Sequence, residues 1–515
     1  MKILTYRNFI FAALFLFVFS GLSNAQELDL KKLDKYIKTA QKQWNIPGLA
    51  IAIVKDDKII FSKGYGVKEY EKKAKVTDKS LFAIASNTKA FTAAALSILV
   101  DEGKISWDDP VRKYLPYFQL YNPYVSENMT VRDLLCHRAG FATFAGDLVW
   151  YGTTYSRKEV IERARYIKPT YGFRAHYGYS NIMFLTAGEI IPAVTGKSWD
   201  DFIKEKFFEP LQMTTTNTSI RDFTEKSDIA MPHHVEPGKK PIPIKYVNWD
   251  NIAPAGSINA CVSELANWIR MQLNNGKFEG KEILSEKQIR IMRSPQIMKS
   301  VSKWSEKTWP SKHFSAYGLG WDLFDYHGRK IVNHGGGADG MISKTVLVPE
   351  ENLGFVILTN SINYLPTALM YYILDDYFGA EEKDWSTVYY GFYTDGIKRE
   401  QERMAKAEAE RNKNSKPSLA LPEYTGTYRS DLYGDVEVKL ENGKLVLYFV
   451  PTPIFVGDLS HWQYNTFSIK LRNIYSLPQG TVNFVLNDKG KVTEVQIDIP
   501  NPDFDFTELK LFKVE

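Results

Sequence analysis

Three short groups of residues combine side chains able to carry out acyl transfer. In Phe82-Ala83-Ile84-Ala85-Ser86-Asn87-Thr88-Lys89, a serine and a lysine stand three apart at the start of an alanine-rich stretch. Residues at that spacing share a helix face, so Lys89 can reach the Ser86 hydroxyl, and a helix N-terminus favours negative charge developing on a nucleophile. Alone the tetrad is a weak signal, since any long chain contains a few, and a solvated lysine is the plainer reading. Tyr179-Ser180-Asn181 places a phenol and an amide two residues apart, so in an extended segment both face one cleft: the phenolate as a base near Lys89, the amide as a carbonyl ligand. The plain alternative is a tyrosine-rich core turn. His334-Gly335-Gly336-Gly337-Ala338-Asp339-Gly340 follows a short β-rich run, and glycines let a substrate lie against the backbone. The amide of Gly337, with that of Ser86, would bind the oxyanion of a tetrahedral intermediate. A glycine turn is the competing reading.

The order of the three groups resembles the motifs of penicillin-recognising serine enzymes, the family of the penicillin-binding proteins and class C β-lactamases. Thr130–Gly140, Ala253–Ser257 and Tyr317–Trp321 are similar to further stretches of that family, and the likeness runs from about residue 30 to 380. The resemblance implies an α/β sandwich with an all-helical lobe, Ser86 in the cleft between them, and neither metal nor cofactor. Ser86 would attack a carbonyl, Lys89 and Tyr179 would share the proton handling, and Asn181 would bind the substrate amide. His334 and Gly336 would contact substrate, and water would release the acyl group. Class C β-lactamases carry Lys-Thr-Gly where this chain has His334-Gly335-Gly336. The exchange removes a fixed cation that would pair with a substrate carboxylate. Family DD-peptidases, D-aminopeptidases and esterases carry similar His-x-Gly triplets.

The elements that must hold these residues suggest an α+β fold. A helix over 28–44 precedes a hairpin, Leu49–Val54 and Ile59–Ser62, around Lys55-Asp56-Asp57-Lys58. Helical stretches at 88–100, 157–167, 181–195, 198–208 and 263–274 separate it from strands at Lys330–Asn333, Ser343–Val348 and Gly354–Thr359, with a helix near 365–377. One antiparallel sheet built from both ends of this region follows. The predicted hydrolase domain spans 26–395, a charged linker helix lies within 396–418, and 419–515 forms a small all-β domain, lipocalin-like or a barrel. Its signals are the hairpin at Asn442-Gly443 and the paired runs Thr481–Leu486 and Val492–Ile497. Tyr424, Tyr428 and Trp462 there either fill its core, bind a ligand or cover the active site.

Lys2, Arg7, the apolar run Phe9–Phe19 and Ser23-Asn24-Ala25 read as a signal peptide, residues 1–25, cut after Ala25. The run is shorter than the ~20 residues of a membrane span. The mature protein is thus expected to be periplasmic or secreted, without stable membrane insertion. Cleavage removes two cations and no acid, lowering the formal charge from +5 to +3, too small a surplus to predict a nucleic-acid partner. Cys136 and Cys261, the only cysteines, lack metal-ligand spacing; a disulfide and two buried thiols both remain open. His233-His234 reads as a loop pair, and His137 as a structural residue of its turn. The expected function is an exported serine hydrolase of small peptides, amides or esters, with D-amino-acid-containing peptides among the candidates. A β-lactamase proper and a slow or non-catalytic penicillin-binding sensor are the alternatives. Oligomeric state is left open.

Overall fold

The computed structural model describes residues 27–514. The expected signal peptide, residues 1–25, lies outside them. Helix α1 (Leu30–Gln43) starts at Asp29, whose carboxylate accepts from the amides of Lys31 and Lys32. Strands β1 (Gly48–Lys55) and β2 (Lys58–Gly66) form the expected hairpin. Its turn residues Asp56 and Asp57 both take positive φ, 50° and 61°, the left-handed pair that matches the twist of a two-residue hairpin. Helices α2 (Thr88–Asp101), α3 (Asn181–Thr195) and α4 (Val262–Leu273) belong to the long helical insertion. The chain then returns to the sheet through β3 (Ile297–Lys299), β4 (Ser315–Tyr317), β5 (Asp322–Tyr326), β6 (Arg329–Ala338), β7 (Met341–Val348) and β8 (Leu353–Thr359).

These eight strands make one antiparallel sheet of order β2-β1-β8-β7-β6-β5-β4-β3, so the two ends of the domain meet at β1 and β8. Alternate residues of the central strands feed two cores. Leu49, Ile51, Ile53, Phe355 and Ile357 pack with Leu33 and Ile37 of α1 and with Leu369 and Ile373 of α5 (Leu365–Phe378). Ala50, Ala52, Val54, Val356 and Leu358 face the other way, into the core of the helical lobe. Both faces of the sheet are therefore covered, and β1 and β8 read as unbroken apolar runs.

The glycine-rich third motif is not a turn. Strand β6 continues through it, with Gly335, Gly336 and Gly337 opposite Lys344, Ser343 and Ile342 of β7. On its other side β6 pairs with β5 only as far as Asn333, leaving the His334–Ala338 edge free. A glycine run inside a strand marks a place where another backbone comes close, and the N-terminal end of α2 occupies that place.

Helix α6 (Trp385–Glu410) is one continuous element, so the segment expected as a separate linker helix is largely its second half. Trp385, Ser386 and Tyr389 anchor its first turns in the sheet-side core. Its second half is largely exposed and carries pairs such as Glu400–Arg403 and Lys406–Glu410. Beyond it, β9 (Gly426–Ser430), β10 (Gly434–Glu441), β11 (Lys444–Phe449), β12 (Val456–Gln463), β13 (Thr466–Leu471), β14 (Gly480–Leu486), β15 (Val492–Asp498) and β16 (Leu511–Lys513) close into an antiparallel barrel with neighbours in chain order. Tyr424 and Tyr428 are buried in the barrel's core, and Trp462 lies beneath the Arg411 guanidinium at 4.4 Å. None of these three covers the active site.

The barrel docks on the helical lobe. Thr154 N–H donates to Pro451 O at 2.8 Å, the Tyr155 hydroxyl to Tyr433 O at 2.6 Å, and Gly146 N–H to Glu508 Oε2 at 2.9 Å. Tyr151 packs its ring against Phe455 and Phe504. This contact brings Ser476, Leu477 and Asn501–Phe504 to the rim of the cleft that holds Ser86.

Candidate active site

Ser86 lies in the single 3₁₀ turn Ala85–Asn87 that leads into α2. Ala85 has φ 45°, a left-handed conformation costly for a residue with a Cβ, and strain of this kind gathers where the surroundings fix a functional group. The turn is pinned from the sheet: Asn87 Nδ2 donates to Ser343 Oγ at 2.7 Å, and Ser343 Oγ donates to Ile84 O at 2.6 Å.

Lys89, one helical turn on, is fully buried. Its Nζ is 3.1 Å from Ser86 Oγ, 2.7 Å from Asn181 Oδ1 and 2.8 Å from Ala255 O, so all three of its donor directions are taken. Burial pushes its pKa down to about 7, with the Asp147 carboxylate pulling in the opposite direction. Asn181 begins α3 and is locked in orientation, because its Oδ1 accepts from Lys89 while its Nδ2 donates to Asp147 Oδ2 at 2.6 Å.

Tyr179 stands over this group, its ring centroid 4.7 Å from Lys89 Nζ. Burial raises its pKa above the ordinary phenol value, opposed in part by its hydrogen bond with Ser86. A resting phenolate is therefore disfavoured. His137, at φ 60°, accepts from Ser180 N–H at 3.0 Å and lies 4.2 Å from the Tyr179 ring, so it fixes the second motif in place from behind.

The third motif divides its residues between two faces of β6. Gly336 points inward: a Cβ there would sit 2.1 Å from Ile84 O, 2.4 Å from Ser343 Oγ and 3.0 Å from Ser86 N. Gly336, expected to contact substrate, instead allows the Ser86 turn to lie against the strand, and Gly335 and Gly337 line the cleft. We expect Gly336→Ala to force Ser86 N away from Gly337, costing about 1–3 kcal/mol of stability and about 10²-fold in kcat. Gly335→Ala, which meets nothing within 4 Å, should leave the melting temperature unchanged. Thermal denaturation together with kcat on any accepted substrate checks both.

His334 is buried with both ring nitrogens engaged. Its Nδ1 lies 2.6 Å from Gly335 O, which only accepts, so Nδ1 carries the proton and Nε2 accepts from the Tyr317 hydroxyl at 2.8 Å. Its pKa is held down at about 3 by burial, so the ring is neutral and has no free nitrogen for a substrate. The cation missing from this triplet has a counterpart on the next strand. Lys344, directly across from Gly335, lines the cleft, donates to Asn333 Oδ1 at 2.6 Å and is in no ion pair among the described residues. Burial lowers its pKa to about 8.

The cleft encloses about 600 Å³ and adjoins a groove of about 1140 Å³ between the hydrolase domain and the barrel. Lys344, Asp147 and Asp503 also line the cleft, although none of them belongs to a motif in the sequence. His233 is structural, its Nε2 accepting from Tyr70 N–H at 2.9 Å. Cys136 and Cys261 are separate buried thiols. Among the described residues no group of three or more His, Cys, Asp or Glu side chains is arranged to hold a metal ion.

A two-face antiparallel sheet, a helical lobe, and Ser86, Lys89 and Tyr179 between them define a β-lactamase/transpeptidase-like domain, followed by a closed eight-stranded barrel. The Beta-lactamase family model matches residues 33–370, and the chain belongs to that family. Residues 410–513 match a domain of unknown function, DUF3471. Among curated relatives, an unguisins hydrolase of Aspergillus campestris is 30% identical over 80% of this chain and 78% of its own length. The protein flp of Staphylococcus aureus is 29% identical over 65% of this chain and 64% of its own length. Among solved structures, the octameric penicillin-binding protein homologue from Pyrococcus abyssi shares the fold, with a TM-score of 0.62 at 22% identity over 94% of this chain and 100% of that one.

Proposed function

We propose that the protein is an exported serine hydrolase that cleaves small peptides, amides or esters through an acyl-enzyme on Ser86. The observation that carries this reading is Lys89: buried, 3.1 Å from Ser86 Oγ, and with a pKa brought down to about 7. A lysine whose proton is this easily lost can take the Ser86 proton as Oγ attacks the carbonyl. The oxyanion then forms between the amides of Ser86 and Gly337. Tyr179, protonated at rest and beside Ser86, passes a proton to the leaving group. Water deacylates the serine by the reverse relay. Asn181, held by Lys89 and Asp147, presents its remaining amide hydrogen toward the acyl part of the substrate.

Export rests on the sequence of residues 1–25 alone. The hydrolase name of the Aspergillus relative supports the reaction class. Intact mass after treatment with a fluorophosphonate tests the mechanism. The expected result is one phosphonyl adduct, with loss of fluoride, that is absent from Ser86→Ala. An unmodified wild-type protein would sink the reading.

A further inference from the structure

The two amides that would hold the oxyanion come from separate parts of the chain. The Ser86 N–H belongs to the 3₁₀ turn Ala85–Asn87, and the Gly337 N–H to strand β6. Neither part fixes its own position. Ala85 is held at φ 45° within a turn of only three residues. Gly335, Gly336 and Gly337 have no side chains to pack, and β5 leaves that edge of β6 unpaired from His334 onward.

One buried hydroxyl touches both parts. Ser343 of β7 lies directly across from Gly336 and is 1% exposed. Its Oγ donates to Ile84 O at 2.6 Å and accepts from Asn87 Nδ2 at 2.7 Å, so it ties together the residues that flank Ala85 and Ser86. Ile84 O also accepts from Asn87 N–H at 3.2 Å, the bond that closes the turn. With Asn87 donating into Oγ, the single hydroxyl hydrogen is directed to Ile84 O. The same Oγ stands 3.5 Å from Gly336 O. The Gly336–Gly337 peptide is trans, so its C=O and N–H point opposite ways. With Gly336 O turned toward β7, the Gly337 N–H is turned toward the free edge of β6, on the side of the cleft. Ser343 is buried behind these two backbone segments and acts only through them.

We propose that Ser343 is the positioning residue of the oxyanion hole: its hydroxyl, oriented by Asn87, sets the Ser86 turn against β6 so that the amides of Ser86 and Gly337 converge on one point. The inference rests on the acyl-enzyme reading and adds to it a residue outside all three sequence groups.

The test follows labelling of Ser86 by a fluorophosphonate. The Oγ–P bond forms as the P–F bond breaks, fluoride leaves, and the serine proton passes to Lys89. The phosphoryl oxygen occupies the oxyanion hole, so the maximal labelling rate reads the alignment of the two amides, and the half-saturating concentration reads binding. Ser343→Ala should lower the maximal rate by at least about tenfold, the scale on which misplacement of a reacting group acts, and leave half-saturation unchanged. The acid limb of the rate should stay at about 7, because Lys89 keeps Asn181 and Ala255 as partners. Ser343→Thr keeps the hydroxyl and faces a glycine across the ladder, so it should recover most of the rate. Asn87→Ala should lose rate in the same way, and the double variant should be no slower than Ser343→Ala alone, since both act through one contact. Asn87→Ala also carries the test should Ser343→Ala fail to fold. Labelling of either alanine variant at the wild-type rate, a threonine variant as slow as the alanine one, a shifted acid limb, or losses that add in the double variant would overturn the inference. A wild type that takes no label would instead remove the acyl-enzyme reading on which it stands.

Discussion

Ser86→Ala should lower hydrolysis by on the order of 10⁶-fold while leaving the melting temperature close to that of the wild type. The loss is large because, in the proposed mechanism, the Ser86 oxygen is the atom that forms the covalent bond. The backbone amides of residue 86 and Gly337 remain, so residual activity measures oxyanion binding alone. The fold should tolerate the change. Ser86 Oγ accepts one bond from Lys89, whose Nζ keeps Asn181 Oδ1 and Ala255 O as partners. Turnover by purified Ser86→Ala at the wild-type rate would refute the mechanism, and a collapsed melting temperature would show that the serine is structural.

Lys89→Arg is the second large effect, expected at about 10³-fold or more in kcat. A guanidinium keeps the positive charge but stays protonated at any working pH, so it cannot accept the Ser86 proton. A structural cation would be partly rescued by arginine; a base would not. The pH profile gives an independent readout. Burial disfavours the ammonium and brings the Lys89 pKa down to about 7, so the base form dominates above that value. Acylation should therefore rise with pH up to about 7 and level off above it. The Asp147 carboxylate pulls the Lys89 pKa upward, so Asp147→Asn should move the acid limb to lower pH. An unchanged limb in that variant would separate Asp147 from the base.

Much of the site was legible because its pieces are local. Ser86 and Lys89 share a face of one helical turn, and Tyr179 and Asn181 lie two residues apart at the start of another helix. The resemblance to penicillin-recognising enzymes then joined groups that spacing alone could not. Gly336 was expected at the substrate because a glycine that admits a ligand and one that admits a neighbouring backbone look the same in sequence. His334 was expected at the substrate, but its partner Tyr317 lies seventeen residues away and on another strand.

The chain's own pattern determined what short-range geometry controls: the hairpins at Asp56-Asp57 and Asn442-Gly443, the helices around the motifs, the alternation that closes the barrel, and the Ser-x-x-Lys pair. Tertiary structure alone decided how those parts act. Lys89 is desolvated, and its pKa lowered, because the fold closes around it and brings up Asn181 and Ala255, 92 and 166 residues away in sequence. Lys344 reaches the cleft because strand register sets it across from Gly335. Asp503 reaches the cleft that Asp147 and Asp339 line only because the barrel docks on the helical lobe. Periodicity records which face a residue occupies; desolvation and the summed field of distant charges depend on what the folded chain places against that face.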